Sequence, residues 1–126
     1  MIEVMYNNQH GGFGFSKTAM DQYHYLKLAA NPHYININMH DIVRSDPLMI
    51  SIVKTLGQEA NGRRSNIVIE EIPRQYRYFY HIDEYDGLED IRIHYDGYKL
   101  HAIRQIIESN SQDKINEIKT ILDLTD

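Results

Sequence analysis

Cysteine is absent from the 126 residues, which excludes disulfides, thiolate chemistry and any zinc site built on Cys, and suits a reducing compartment. No apolar run approaches the roughly 20 residues that span a bilayer, and Met1 to Gln9 has neither the basic start nor the apolar stretch of a secretion signal. No membrane partner is expected. An excess of positive charge is missing too: 13 Lys and Arg face 18 Asp and Glu, a net charge of −5. General nucleic-acid binding draws its affinity from clustered cations that release counterions from phosphates, so it is not expected here. Disorder is excluded as well, because 42% hydrophobic and 25% charged residues are the mix of a folded chain. The length suits one core, since two would each be marginal.

Periodicity then places the elements. Ile2, Val4 and Tyr6 alternate with Glu3 and Met5 as in a half-buried strand. Ser16 caps a helix that runs to about Ala30, where Asn31-Pro32 stops it. Ile35, Ile37 and Met39 read as a short strand. Ser45-Asp46-Pro47 opens a second helix, with proline at a position whose missing N–H costs nothing, and Asn61-Gly62 reads as its left-handed stop.

Ile67 to Ile72 reads as an apolar strand ended by Pro73. Tyr76, Tyr78, Tyr80 and Ile82 alternate with Arg77, Phe79, His81 and Asp83 as a second strand beside it. Tyr85-Asp86-Gly87 and Tyr95-Asp96-Gly97 are two turn signals flanking Leu88 to His94, which predicts a meander. Beyond Tyr98 the aliphatic residues Leu100, Ile103, Ile106 and Ile107, then Ile115, Ile118, Ile121 and Leu122, recur at helical spacing. Asn110-Ser111 breaks that run, and Ser109 with Gln112, or Ser111, caps the second part, as two short helices or one kinked one.

The expected fold is therefore α+β, one domain. A small antiparallel or mixed sheet with a meander and two packing helices occupies 1–97. A helical extension, 98–126, packs on the core or on a second subunit.

His10-Gly11-Gly12-Phe13-Gly14-Phe15-Ser16, Asp46-Pro47 with Val53 and Leu56-Gly57, Glu59-Ala60-Asn61-Gly62, Glu71-Ile72-Pro73 and Glu84-Tyr85-Asp86-Gly87-Leu88-Glu89 succeed one another in order. This string resembles a family of small proteins of tailed phages and large DNA viruses, whose pattern is roughly GGFGLS, DPxLVxVVxxLGxxANG, IVEIP and EYDGxE. The likeness covers about Ile2 to Ile93. It implies viral ancestry, one compact domain and a place in the host cytoplasm or the virion, and it brings no catalytic residue with it. Between Pro73 and Asp83 this chain departs from the pattern, with Arg74, Arg77 and tyrosines in a stretch that is more often acidic.

Candidate chemistry is sparse. Gly11, Gly12 and Gly14 lie between a strand and the helix capped by Ser16, so their amides can face an anion at the helix start; equally, they can make a tight turn anchored by Phe13 and Phe15. The spacing is neither a dinucleotide fingerprint nor a Walker loop, and His10-Gly11-Gly12 has no G-x-S-x-G elbow after it as a lipase would. Arg63, Arg64, Arg74 and Arg77 lie near Tyr76, Tyr78 and Tyr80, and guanidinium forks with aromatic faces suit a nucleotide-like ligand. The opposing reading is packing on one face and solvation on the other.

His81 with Asp83 and His94 with Asp96 are pairs without the third and fourth ligands a metal needs. General acid or base work by Asp83, Glu84 or Glu89 lacks an ordered partner. No cofactor, metal or catalytic residue is assigned. The leading expectation is a viral accessory protein that binds a host protein or a small anionic, nucleotide-like ligand. A structural or assembly protein comes second, and an enzyme acting on a phosphate-containing substrate third. Self-association as a homo-oligomer is expected through the C-terminal helices.

Overall fold

Caps and punctuation decide where the helices of this computed structural model, which describes residues 1–109 and 112–124, begin and end. The Ser16 side chain accepts a hydrogen bond from the Ala19 amide and starts helix α1, Lys17–Ala30. Asp46 accepts from the amides of Leu48 and Met49 and, with Pro47 in the first turn, starts α2, Pro47–Leu56. The stop of α2 differs from the sequence expectation. The chain turns at Gly57, with φ 59°, and passes through a 3-10 turn, Gly57–Ala60, so Asn61 is extended and Asn61-Gly62 is not the left-handed stop. Gly57 comes first along the chain and ends the helix before Asn61-Gly62 is reached.

The chain forms a single α+β domain with, among the described residues, four α-helices and two antiparallel two-stranded sheets. Strand β1, Ile2–Asn7, pairs with β2, Ile67–Ile72, so that Ile2 faces Ile72 and Asn7 faces Ile67. Strand β3, Tyr80–Tyr85, pairs with β4, Leu88–Ile93, across a two-residue turn in which Asp86 and Gly87 both have positive φ. Positive φ at both central residues is the tight hairpin geometry that Asp-Gly favours. Helices α3, Tyr95–Glu108, and α4, Lys114–Leu122, close the described chain. None of the helices is long and apolar enough to cross a membrane.

Several local expectations are corrected. Ile35, Ile37 and Met39 form no strand: Ile35 is 81% exposed, and Asn38 instead caps a 3-10 turn, Met39–Asp41. An alternating run needs a neighbour to pair with, and none lies beside this one. After Pro73 the chain makes a 3-10 turn, Arg74–Tyr76, and the next strand starts only at Tyr80, so β2 and β3 are not neighbours. Tyr95-Asp96-Gly97 is the first turn of α3, not a hairpin turn. Ser109 closes α3 by donating its hydroxyl to the Ile106 carbonyl, and α4 begins after Asp113. The proposed break at Asn110-Ser111 and the Ser111 cap lie outside the described residues.

The core lies between α1, α2 and the first sheet. Ala19, Met20 and Tyr23 of α1 meet Met49, Ile52 and Val53 of α2 over Met5 of β1. Successive strand residues point to opposite faces, yet Val4 and Met5 are both fully buried. Strand β1 is thus covered on both sides, with β4 close by. Farther along, Tyr76 meets Tyr95 and Tyr98 at the start of α3 edge-to-face, with centroids 5.1 and 5.0 Å apart. Helix α4 packs on α3.

Tyr23 links the two core helices, its hydroxyl donating to Asp46 Oδ2 at 2.8 Å. Burial, then the hydrogen bond and the negative charge of Asp46, push its phenol well above the ordinary value of 10.0. Because the folded value is the higher one, Tyr23's contribution is complete below pH 10 and is lost as pH rises beyond it. Denaturant titrations from neutral to strongly alkaline pH should show this loss, with a slope of up to about 1.4 kcal/mol per pH unit from this group. Tyr23→Phe should remove that component of the slope.

Candidate anion-binding surface around the glycine loop

Asn7, the last residue of β1, is fully buried, and its polar atoms tie together three separate stretches of chain. Its side-chain amide donates to the carbonyls of Gln9 and Gly87, and its Oδ1 accepts from the Asn66 amide. Its backbone amide donates to Glu89 Oε1 at 2.8 Å. Glu89 in turn holds Arg44 by two parallel hydrogen bonds of 2.7 and 2.8 Å. The Arg44 guanidinium lies 3.5 Å from the centre of the Phe13 ring and also donates to the Met5 carbonyl. A carboxylate in an apolar setting needs such a fork-to-fork partner.

The glycine loop is fastened on both sides. On one side Gly62 and Ser65 donate to the Gly14 carbonyl, and the Ser16 amide donates to Ala60. On the other, the Gly11 amide donates to the Asp86 carbonyl of the β3–β4 turn, and His10 Nδ1 lies 3.1 Å from the same oxygen. The segments His10 to Ser16, Glu59 to Gly62 and Glu84 to Glu89 therefore meet at this loop. Local needs account for their polar residues: Glu84 Oε1 accepts from the Gly87 amide, and Asn61 Oδ1 from the Ile67 amide.

Six of the seven candidate ligand residues come together here. Gly11 touches Arg64 so closely that a Cβ on it would lie 2.6 Å from Arg64 Cβ, and Gly62, next to Arg63, abuts Gly14 in the same way. Ser16 caps α1 and donates to the Glu59 carbonyl, so its hydroxyl is engaged within the fold. Arg63 and Arg64 are exposed. Among the described residues neither has an acidic partner, and no acceptor meets the amides of Gly12, Phe13 or Gly14.

Arg77 is elsewhere. It lies beyond the far end of β2, whose six residues span about 20 Å, and its guanidinium folds over the Tyr78 ring and onto the Arg74 carbonyl. The arginines therefore do not form one cluster. Nor do the tyrosines form one face, because Tyr76 is buried and Tyr78 exposed.

The histidine pairs are also rearranged. His81 and His94 stack on each other, with Nδ1 and Nε2 2.7 Å apart. Among the described residues no three metal-ligating side chains converge. Asp83 Oδ2 lies 3.7 Å from Arg92 Nε, a solvated diagonal contact between β3 and β4. The Arg44–Glu89 pair was not singled out from the sequence. Its signal is there: Glu89 shares a strand face with Ile91 and Ile93, and an acid in an apolar stripe requires a cation. No family model, curated protein or solved structure matches the chain.

Proposed function

We propose that this chain is a small viral accessory protein of the host cytoplasm that works by binding, and that the surface beside the glycine loop takes the anionic group of its ligand. One observation carries this reading. Arg63 and Arg64 stand exposed and without acidic partners beside a loop in which, among the described residues, the amides of Gly12, Phe13 and Gly14 meet no acceptor. Guanidinium groups and backbone amides together suit a phosphate or carboxylate, on a nucleotide-like small molecule or on a host polypeptide. The motif string supports the viral origin. Binding is preferred to catalysis because Asn7, Ser16, Glu84 and Glu89 are each held by partners in the fold.

Calorimetry over a panel of nucleotides and phosphopeptides tests it. Replacing both Arg63 and Arg64 by alanine should weaken binding by about 1 to 3 kcal/mol, while Arg77→Ala, at the far end of β2, should leave it unchanged. No heat from the unmodified chain across the panel would overturn the reading.

A second reading, a structural or assembly role through self-association, is favoured by the C-terminal helices. No residue of α3 or α4 is buried, and Leu100, Ile107, Ile115 and Leu122 are all more than half exposed.

A further inference from the structure

The two outer edges of the first sheet are treated differently. On β1 the outward amides of Met5 and Asn7 are taken, by the Arg44 carbonyl and by Glu89. Strand β2, among the described residues, has β1 as its only strand neighbour. The bond from the Asn8 amide to the Asn66 carbonyl sets the alternation along the pair. Val68, Glu70 and Ile72 therefore bond to β1, while Ile67, Ile69 and Glu71 turn their N–H and C=O groups the other way. Asn61 Oδ1 accepts from the Ile67 amide. Among the described residues, no partner meets the amides of Ile69 and Glu71 or the carbonyls of Ile67, Ile69 and Glu71. Such an edge is a template for one more strand.

A groove runs along this edge toward the end of α2, with Val53, Lys54, Gly57, Asn61, Ile67 and Ile69 among its walls. A Cβ on Gly57 would meet nothing within 4 Å, so the groove is open there. A strand laid along Ile67 to Glu71 sets the side chain beside Ile69 on the face of Ile69, in the groove, and the side chain two residues along next to Glu71. Neither Arg63 nor Arg64 lines the groove, so it is distinct from the anion surface.

Charge says what kind of strand fits. Glu3 and Glu71 stand directly opposite each other in the sheet, like charges on one face. Lys54 Nζ serves Glu3, at 2.6 Å from its Oε2, and the exposed Glu71 has no ion-pair partner among the described residues. A second copy of β2 would bring only Ile67, Ile69 and Glu71 to such an edge, and so no cation. We infer that the free edge of β2 takes an extended segment of another protein as a third strand. That segment sets an apolar residue in the groove beside Ile69 and, two residues along, a lysine or arginine beside Glu71. Main-chain hydrogen bonds supply the affinity, and these two side chains the selectivity.

A positional-scanning library of short peptides on the full chain tests it, followed by fluorescence anisotropy and amide hydrogen exchange with the peptide selected. That peptide should carry Lys or Arg two positions from an aliphatic residue, and binding should slow exchange at the amides of Ile69 and Glu71. Methylating alternate peptide nitrogens should weaken binding about tenfold in one phase and leave it unchanged in the other, because only every second residue turns its N–H to the edge. Glu71→Lys, with its fold checked by circular dichroism, should weaken binding about tenfold, and a peptide with glutamate in place of its cation should recover the loss. The methylated peptides test the pairing on the unmodified chain whatever that variant does. No selected motif, or binding that leaves Ile69 and Glu71 unprotected, overturns the inference. Protection of those amides in the free chain that grows with protein concentration also overturns it, because a second copy then holds the edge.

Discussion

Glu89→Ala should cost the fold about 3 kcal/mol, the lower end of what breaking a buried ion pair costs, because Arg44 keeps some contact with water. The Glu89 side chain is 7% exposed and that of Arg44 23%. Removing the carboxylate strands two groups. The Arg44 guanidinium keeps only the Phe13 ring and the Met5 carbonyl, and the buried Asn7 amide loses its acceptor. An unsatisfied buried donor is expensive in itself. The charge matters as well as the shape, so Glu89→Gln, which leaves an oxygen for Asn7, should cost less than alanine. Replacing both partners, Arg44→Met with Glu89→Leu, should recover the part of the loss that comes from the stranded guanidinium but not the part from the Asn7 amide, which still lacks its acceptor. Urea denaturation of the three variants measures all of this. An alanine loss below about 1 kcal/mol would put the pair in the class of surface ion pairs.

That pair also shows where the sequence was readable. Ser16, Asp46-Pro47, Pro73 and Asp86-Gly87 act on their immediate neighbours, and each starts or ends an element where the sequence said it would. Their signals are local because caps and turns are made within four residues. Arg44 and Glu89 are 45 residues apart, and nothing near Arg44 marks it as the partner. Alternation misled at Ile35 to Met39 and at Tyr76 to Tyr78 for a related reason. A period of two shows that a segment can present two faces, not that another strand lies beside it. The grouping of Gly11, Gly12, Gly14 and Ser16 is sequential and was legible. That Arg63 and Arg64 join them while Arg77 does not is set by the length and direction of β2, which only the fold supplies.

Gly87→Ala should be among the most damaging single-methyl changes in the chain, costing about 3 kcal/mol or more. Two effects combine there. Gly87 has φ 83°, where any Cβ is strained, and a Cβ on it would overlap the amide nitrogen of Gly12 and come within 2.8 Å of the Gly11 carbonyl carbon. These neighbours are backbone, so no rotamer change makes room. Relief requires the β3–β4 turn to move off the glycine loop, and that breaks the Asn7 bond to the Gly87 carbonyl and the Gly11 amide bond to the Asp86 carbonyl. Gly12→Ala separates the two effects. It has φ 104°, but a Cβ there meets nothing within 4 Å, so it should cost only the backbone strain, about 1 to 2 kcal/mol. Denaturation midpoints of the two variants give the difference, and that difference measures the contact between hairpin and loop. If the two alanines cost the same, the turn's conformation alone sets the requirement for glycine. If Gly87→Ala costs more, as the geometry demands, it should also weaken the anion binding proposed at Arg63 and Arg64, because Arg64 rests on Gly11 of the loop that the turn holds in place.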